Sequence, residues 1–170
     1  MKKNILLLAL LFFASILTIN AQKTVDIDGR LQPLLNEFFA QCKKYDIEYN
    51  TKLFQLDKID IVSTLPLEEN ATVLGKVQRN QAGEIKEIQI NWAALLDPEI
   101  LKVVAFHEFA HHFLDYKHTC QDCNEIMAVT NTSYFDIARD WDNQVVQLFT
   151  TSPVYITSQA TNPVVYTEIK

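Results

Sequence analysis

The chain has 170 residues and carries 15 basic and 21 acidic side chains, for a formal charge of −6. This length suits one domain with a hydrophobic core of its own, and a second domain is not expected. The acidic balance argues against nucleic acid or an anionic membrane surface as the main partner.

The first 21 residues have the pattern of a secretory signal peptide. Lys2 and Lys3 give a positive start, residues 5–19 are uncharged and mostly apolar, and Ala21 is a small residue suited to cleavage. The apolar run is short for a membrane span of about 20 residues, although a retained anchor is the alternative. We therefore expect one domain over residues 22–170, secreted or periplasmic, with no stable membrane insertion after removal of the signal.

The first half of the mature chain predicts one helix followed by strands. Apolar residues recur at helical spacing over residues 30–45 and predict an amphipathic helix. Residues 59–65 are rich in β-branched side chains and predict a strand. Two further predicted strands, residues 72–79 and 84–92, flank a turn at residues 80–83 and predict a hairpin.

A buried helix follows the predicted hairpin. Asp97 provides a helix cap and Pro98 suits the first helical position, so the helix is expected to run from there to about Tyr116. Apolar residues surround it on nearly all sides, which is typical of a buried helix. After a loop, Ser133 predicts the start of a second helix that continues to Phe149. The segment beyond is expected to be either an edge strand or a loosely attached tail.

All four histidines lie within residues 107–118, and the first two frame the motif His107-Glu108-Phe109-Ala110-His111. Residues four apart on a helix lie on one face, so the two rings can converge on one ion. Glu108 can then reach a metal-bound water. Catalytic zinc takes three protein ligands and leaves a fourth position to water, so this spacing predicts a zinc hydrolase with a third ligand elsewhere. A metal-free pair of core histidines is the simpler alternative.

On these residues the chain resembles the zincin metallopeptidases, and downstream it is similar to their metzincin branch. His118 and the pair Ile126-Met127 correspond to the third histidine and the methionine turn of that branch. His118 stands one place later than in the metzincin pattern, and Leu114 replaces its glycine. A group of small secreted bacterial metallopeptidase-like proteins shares the later histidine and the Ile-Met pair. The resemblance covers about residues 84–149.

The resemblance implies an α+β fold of the zincin type. We expect a small mixed or antiparallel sheet packed on the active-site helix, with one helix before the sheet and a C-terminal helix. An extended peptide substrate would pair with the strand at residues 84–92 or with its hairpin partner.

Two residues compete as the third zinc ligand. Glu125 would fill this place in the gluzincin plan, in which a glutamate from a following helix binds the metal. We favour His118, because a short loop returns to the metal more easily than a new helix does. His112 points away from the ligand face and is not expected to bind. Asp115, four residues after His111, could orient a ligand ring.

Three cysteines, Cys42, Cys120 and Cys123, make an odd count for a chain that enters an oxidising compartment. Cys120 and Cys123 could bridge locally, or Cys42 could pair with one of them. A free, buried Cys42 is the third possibility. A purely structural zinc site that uses His118 with Cys120 and Cys123 is a further alternative.

Peptide hydrolysis is the expected activity, with an endopeptidase favoured over an exopeptidase. His107, His111 and His118 would hold Zn²⁺, and Glu108 would act as general base on a peptide or protein substrate. The alternative from another class is a secreted binding or envelope protein that keeps a zinc site without turnover.

Overall fold

The computed structural model describes residues 23–63, 65, 73–131 and 133–161. The predicted signal peptide, the first residue of the predicted strand at 72–79 and the end of the C-terminal segment lie outside these ranges. Within them, no helix has both the length and the apolar character that a membrane crossing requires.

The described chain is a mixed α+β structure. The helices are α1 (Gln32–Lys44), α2 (Asn50–Leu53), α3 (Pro98–Phe113), α4 (Tyr134–Arg139), α5 (Trp141–Thr150) and α6 (Pro153–Thr161). The strands are β1 (Asp26–Ile27), β2 (Lys58–Val62), β3 (Gly75–Arg79), β4 (Ile85–Asn91), β5 (Cys120–Cys123) and β6 (Ala128–Asn131). A 3-10 helix, Trp92–Leu96, joins β4 to α3.

Four strands form a small mixed sheet in the order β1-β2-β4-β3. β2 runs parallel to both β1 and β4, whereas β3 is antiparallel to β4. The predicted hairpin is therefore confirmed, and β3 is the outer strand of the hairpin at one edge of the sheet. Its turn is closed by Asn80, whose side-chain oxygen accepts hydrogen bonds from the backbone of Ala82 and Glu84, both at 3.0 Å. Gly83 adopts the positive φ of 83° that this turn requires.

Aromatic rings fix α3 against the other helices. Phe38 of α1 is fully buried, and the centroids of Phe106, Phe109 and Phe113 on α3 lie 5.3, 5.6 and 5.8 Å from its ring. Phe149 of α5 lies 5.1 Å from the same ring. The predicted helix at residues 30–45 is thus confirmed as α1, and its apolar face packs on α3. This packing holds the helix that carries the histidine motif in one orientation.

The C-terminal half differs from the sequence expectation in two places. The helix predicted from Ser133 to Phe149 is divided at Asp140, which leaves helical geometry with ψ of 25°. In the described part of the final segment, residues 153–161 form α6 and not an edge strand or a loose tail, and the rest of the segment lies outside the described residues. Ser152 caps α6 through its side-chain oxygen, which accepts a hydrogen bond from the backbone of Tyr155 at 3.1 Å. Pro153 then sits in the first turn, where its missing N–H is tolerated.

The loop expected after the histidine helix contains Cys120 and Cys123. It forms a short ribbon in which β5 and β6 pair in parallel. Cys120 and Cys123 are joined by a local disulfide, and Cys42 is free and buried. Burial raises the pKa of the Cys42 thiol to about 12, so it packs as a small apolar side chain. Of the pairings left open by the sequence, the structure has the local one.

Candidate metal centre

Helix α3 presents the histidine motif from a well-capped start. Asp97 accepts hydrogen bonds from the backbone N–H groups of Glu99 at 2.8 Å and Ile100 at 3.2 Å, as a helix cap should. The helix ends at Phe113, which is three residues before the predicted end. Asp115 then adopts a left-handed φ of 57°, and the chain turns back toward the motif.

Three histidine side chains converge at one point. The Nε2 atom of His107 lies 3.0 Å from Nε2 of His111 and 3.2 Å from Nε2 of His118. Nitrogen ligands placed about 2.0 to 2.1 Å from a tetrahedral zinc ion stand about 3.3 Å apart. The three side chains therefore fit a single ion of that size.

The opposite ring nitrogens determine which tautomer is present. Nδ1 of His107 lies 2.6 Å from the carbonyl oxygen of Ile126, and Nδ1 of His111 lies 2.9 Å from that of Tyr116. Because a carbonyl oxygen only accepts, both Nδ1 atoms donate, and each neutral ring keeps a lone pair on Nε2. Two lone pairs 3.0 Å apart repel each other unless a cation lies between them. The geometry thus calls for a cation where the Nε2 atoms meet.

Burial disfavours a proton as that cation. Burial, and to a smaller extent the neighbouring His111, lower the pKa of His107 to about 4. The pKa values of His111 and His118 are also lowered, in both cases mainly by burial. Neutral rings with free lone pairs are the form in which histidine binds metal ions. A metal ion is therefore the cation that best satisfies this cluster near neutral pH.

His118 joins the cluster, and Glu125 does not. The ligand atoms of His107, His111 and His118 all lie within 4.8 Å of one another. The Glu125 carboxylate instead accepts a hydrogen bond from the hydroxyl of Thr119 at 2.9 Å. The structure thus places His118 beside the two motif histidines and leaves Glu125 outside their group.

A second group brings Cys120, Cys123 and Glu125 together, with ligand atoms also within 4.8 Å of one another. The two sulfur atoms are joined in the disulfide, so neither is a thiolate that could bind zinc. The alternative of a structural zinc site built on these cysteines does not fit this arrangement.

The loop that carries His118 is tied to the turn at Ile126 and Met127. The backbone N–H of Thr119 donates to the carbonyl of Met127 at 3.0 Å, while the carbonyl of Ile126 accepts from His107. Ile126 and Met127 are both buried. The Ile-Met pair therefore supports the histidine cluster through its backbone, in the region where the resemblance places a methionine turn.

Glu108 lies next to His107 in the chain and is only 4% exposed. Strand β3 covers it at Gly75, where an added Cβ atom would lie 2.6 Å from Glu108 Cγ and still closer to Oε1. Only glycine leaves space for this close approach. Without a bound metal ion, burial raises the pKa of Glu108 to about 8, so the carboxyl is neutral over much of the range below neutrality.

The two other polar residues near the motif have structural partners. Nε2 of His112 donates to the carbonyl of Lys52 at 2.8 Å, so this ring does not turn toward the cluster, as expected. Asp115 forms an ion pair with Lys52 at 2.7 Å. The suggestion that Asp115 orients a ligand ring is wrong, because the carbonyl of Tyr116 holds His111 instead.

Comparison of the chain with protein-family models, with curated proteins and with solved structures found no match. The resemblance to the zincins therefore rests on the motif and on the residues that surround it.

Three contributors to this centre were missed by sequence reasoning. Gly75 is one of only three glycines in the chain, and a glycine inside a strand pattern is a usable signal of close approach. The carbonyls of Tyr116 and Ile126 offered no such signal, because every residue has a backbone carbonyl.

Proposed function

We propose that the protein is a zinc-dependent metallopeptidase on a zincin-like scaffold. His107, His111 and His118 hold the metal ion, and Glu108 is the general base. The observation that carries this proposal is the convergence of three Nε2 atoms, two of them left with lone pairs by their Nδ1 hydrogen bonds, beside a buried carboxyl group.

A zinc ion bound there would supply Lewis acidity, which lowers the pKa of a water molecule and polarises a substrate carbonyl. The carbonyls of Ile126 and Tyr116 orient the rings of His107 and His111 and raise their basicity as ligands. His118 is exposed, so the cluster opens to solvent on its side. A substrate has access to the centre from this side.

Glu108 moves the proton in the proposed reaction. Its carboxylate takes a proton from the attacking water and then passes it to the nitrogen of the departing amine. The backbone of β3 at Gly75 holds this carboxyl against α3, which limits the positions that it can adopt. A base held in one place and shielded from bulk water is suited to such transfer.

Strand β3 supports a peptide as the substrate. It is one of the two outer strands of the four-stranded sheet, and only β4 pairs with it among the described strands. An extended peptide can add to such an edge through backbone hydrogen bonds. Of the two strands considered from the sequence, β4 lies inside the sheet and β3 presents the edge. The signal peptide expected at residues 1–21 accords with an enzyme that acts in the periplasm or outside the cell.

Metal content tests the site. Elemental analysis of the purified wild-type protein should give about one zinc ion per chain. The His118→Ala variant should lose most of it, whereas Glu125→Ala, from the same loop, should keep it. Loss of zinc from Glu125→Ala alone would reverse the assignment of the third ligand. A wild-type protein that binds no zinc when zinc is offered would overturn the proposal.

Turnover tests the reaction. The wild-type protein should cleave an unfolded protein, lose activity with a chelator and regain it with zinc. Glu108→Gln should keep its zinc and lose at least about 100-fold in kcat, which is the range of general-base catalysis. Near-full activity of this variant would remove Glu108 from the proposed role. Stoichiometric zinc without cleavage of any peptide in a broad library would favour the non-catalytic zinc protein.

A further inference from the structure

A cleft next to the metal centre carries positive charge that the proposed reaction does not use. Its volume is about 290 Å³, near the lower end of the range for small-ligand pockets, about 300 Å³. The ligand His111 forms part of its wall, and three cationic side chains, Lys52, Arg79 and Lys117, line it. The cleft and the metal centre are therefore neighbours that share one side chain.

Both carboxylates in the cleft wall already have partners. Asp115 pairs with Lys52 at 2.7 Å. Glu84 pairs with Lys86 at 3.2 Å and accepts a hydrogen bond from Asn80 at 2.9 Å. The positive charge of Lys52 is thus balanced inside the cleft, and neither carboxylate is left to balance a second cation.

Among the residues that the structure describes, Arg79 and Lys117 have no such partner. Arg79 donates one hydrogen bond to the carbonyl of Gly83 at 2.8 Å, which leaves other N–H groups of its guanidinium free to bind. In the ranges that the structure describes, neither Arg79 nor Lys117 forms an ion pair with a carboxylate. Two unpaired cations beside a metal centre stand out in a chain whose net charge is −6.

We propose that this cleft binds a carboxylate of the substrate through Arg79 and Lys117. The inference rests on the proposed peptidase function and names its substrate class, which is peptides with an acidic group near the cleaved bond. The planar guanidinium of arginine presents paired donors that match the two oxygens of a carboxylate. The carboxylate could belong to a glutamate or aspartate side chain or to the free C-terminus of the peptide.

The path of β3 explains how one peptide would reach both the metal centre and the cleft. Gly75 lies over Glu108 at the start of the strand, and Arg79 lies at its end in the wall of the cleft. Four residues of extended chain span about 13 Å. A peptide paired along β3 would therefore have its carboxylate within about four residues of the cleaved bond.

Binding is measured first, so that the result does not depend on turnover. The zinc-loaded Glu108→Gln protein is titrated with fluorescent peptides in matched pairs, and anisotropy is recorded. One series exchanges glutamate for glutamine at each position near the expected bond, and another exchanges a free C-terminus for an amide. The carboxylate member of one series should bind about tenfold or more tightly, as expected for hydrogen bonds to charged groups. The series that responds identifies the source of the carboxylate.

Charge reversal links the preference to the cleft. In the Glu108→Gln background, Arg79→Glu and Lys117→Glu should each abolish the tighter binding of the carboxylate peptide. Each should instead favour peptides that carry lysine where the carboxylate stood. A merely structural role of Arg79 in the hairpin turn does not invert a preference. Lys43→Glu is the matched control, because it makes the same charge change at an exposed residue of α1 that lies neither on β3 nor in the cleft wall, and it should leave the preference intact.

Each outcome separates the two proposals. The cleft assignment is overturned if no carboxylate peptide binds, if neither series shows a preference, or if the preference survives both Arg79→Glu and Lys117→Glu. If the wild-type protein cleaves peptides without such a preference, the peptidase function stands and the cleft assignment fails. If the preference follows Arg79 and Lys117 but the zinc-loaded wild type cleaves none of the bound peptides, the cleft assignment stands and the peptidase function fails.

Discussion

Replacing Glu108 with glutamine is expected to stabilise the metal-free protein, and to do so increasingly as the pH rises. The carboxyl group of Glu108 is buried, and burial raises its pKa from 4.5 to about 8. Below pH 4.5 the group is neutral in both the folded and the unfolded chain, so it costs nothing. Between pH 4.5 and about 8 the unfolded chain ionises and the folded chain does not, so stability is lost as the pH rises. Because glutamine stays neutral over this range, the variant does not lose this stability as the pH rises.

The size of the effect follows from the pKa of Glu108 in the two states. Each pKa unit corresponds to about 1.4 kcal/mol, so a pKa of about 8 instead of 4.5 has a limiting cost of about 5 kcal/mol. Over the interval from pH 5 to pH 8, Glu108→Gln should gain at most about 4 kcal/mol of unfolding free energy relative to wild type. Near pH 5 the two proteins should differ by about 1 kcal/mol or less.

Urea unfolding of the metal-free proteins between pH 5 and pH 8 measures this difference. Glu99→Gln is the control, because Glu99 is an exposed carboxylate in the first turn of the same helix. That variant should change by less than about 1 kcal/mol at any pH. A Glu108→Gln difference that stays constant over the interval would refute the reasoning, because it would show that Glu108 ionises equally in both states. Saturating zinc should flatten the pH dependence, since a nearby cation favours the charged carboxylate.

Three further predictions concern the fold that holds the centre. Gly75→Ala should reduce kcat at least about tenfold with little loss of zinc, because its Cβ would displace the Glu108 carboxyl, and unchanged kcat would contradict the close approach. Phe106→Ala should lower the unfolding free energy by about 3 to 5 kcal/mol in urea titrations, because its fully buried ring packs on Phe38. Asp97→Ala should cost about 1 kcal/mol in the same assay, because it removes the cap of α3, and a cost near zero would show that the two hydrogen bonds are dispensable.

Local patterns predicted the elements that surround the centre. The apolar spacing over residues 30–45 corresponds to α1, and the turn at residues 80–83 corresponds to the hairpin of β3 and β4. The Asp97 cap and the spacing of His107 and His111 depend on residues within one helical turn of each other. Such features are fixed by nearest neighbours along the chain, so they can be seen in the sequence.

The C-terminal errors have a local cause as well. The β-branched and aromatic residues beyond Phe149 left an edge strand and a loose tail open, yet the Ser152-Pro153 pair is a helix-start signal and α6 begins there. Here the helix-capping residues determined the secondary structure, and the strand-favouring composition did not. The helix break at Asp140 could not be predicted in this way, because no glycine or proline lies near it in the sequence.

The sequence by itself determined that His107 and His111 share one helix face with Glu108 beside them, because a helical period depends on spacing alone. Only the tertiary structure decided that His118 completes the cluster and Glu125 does not. It also decided that the carbonyls of Ile126 and Tyr116 set the tautomers of the two motif histidines. In the same way, it decided that the backbone at Gly75 covers the carboxyl group of Glu108. These contacts join segments distant in sequence, and their distances depend on how α3 packs against β3 and the returning loop.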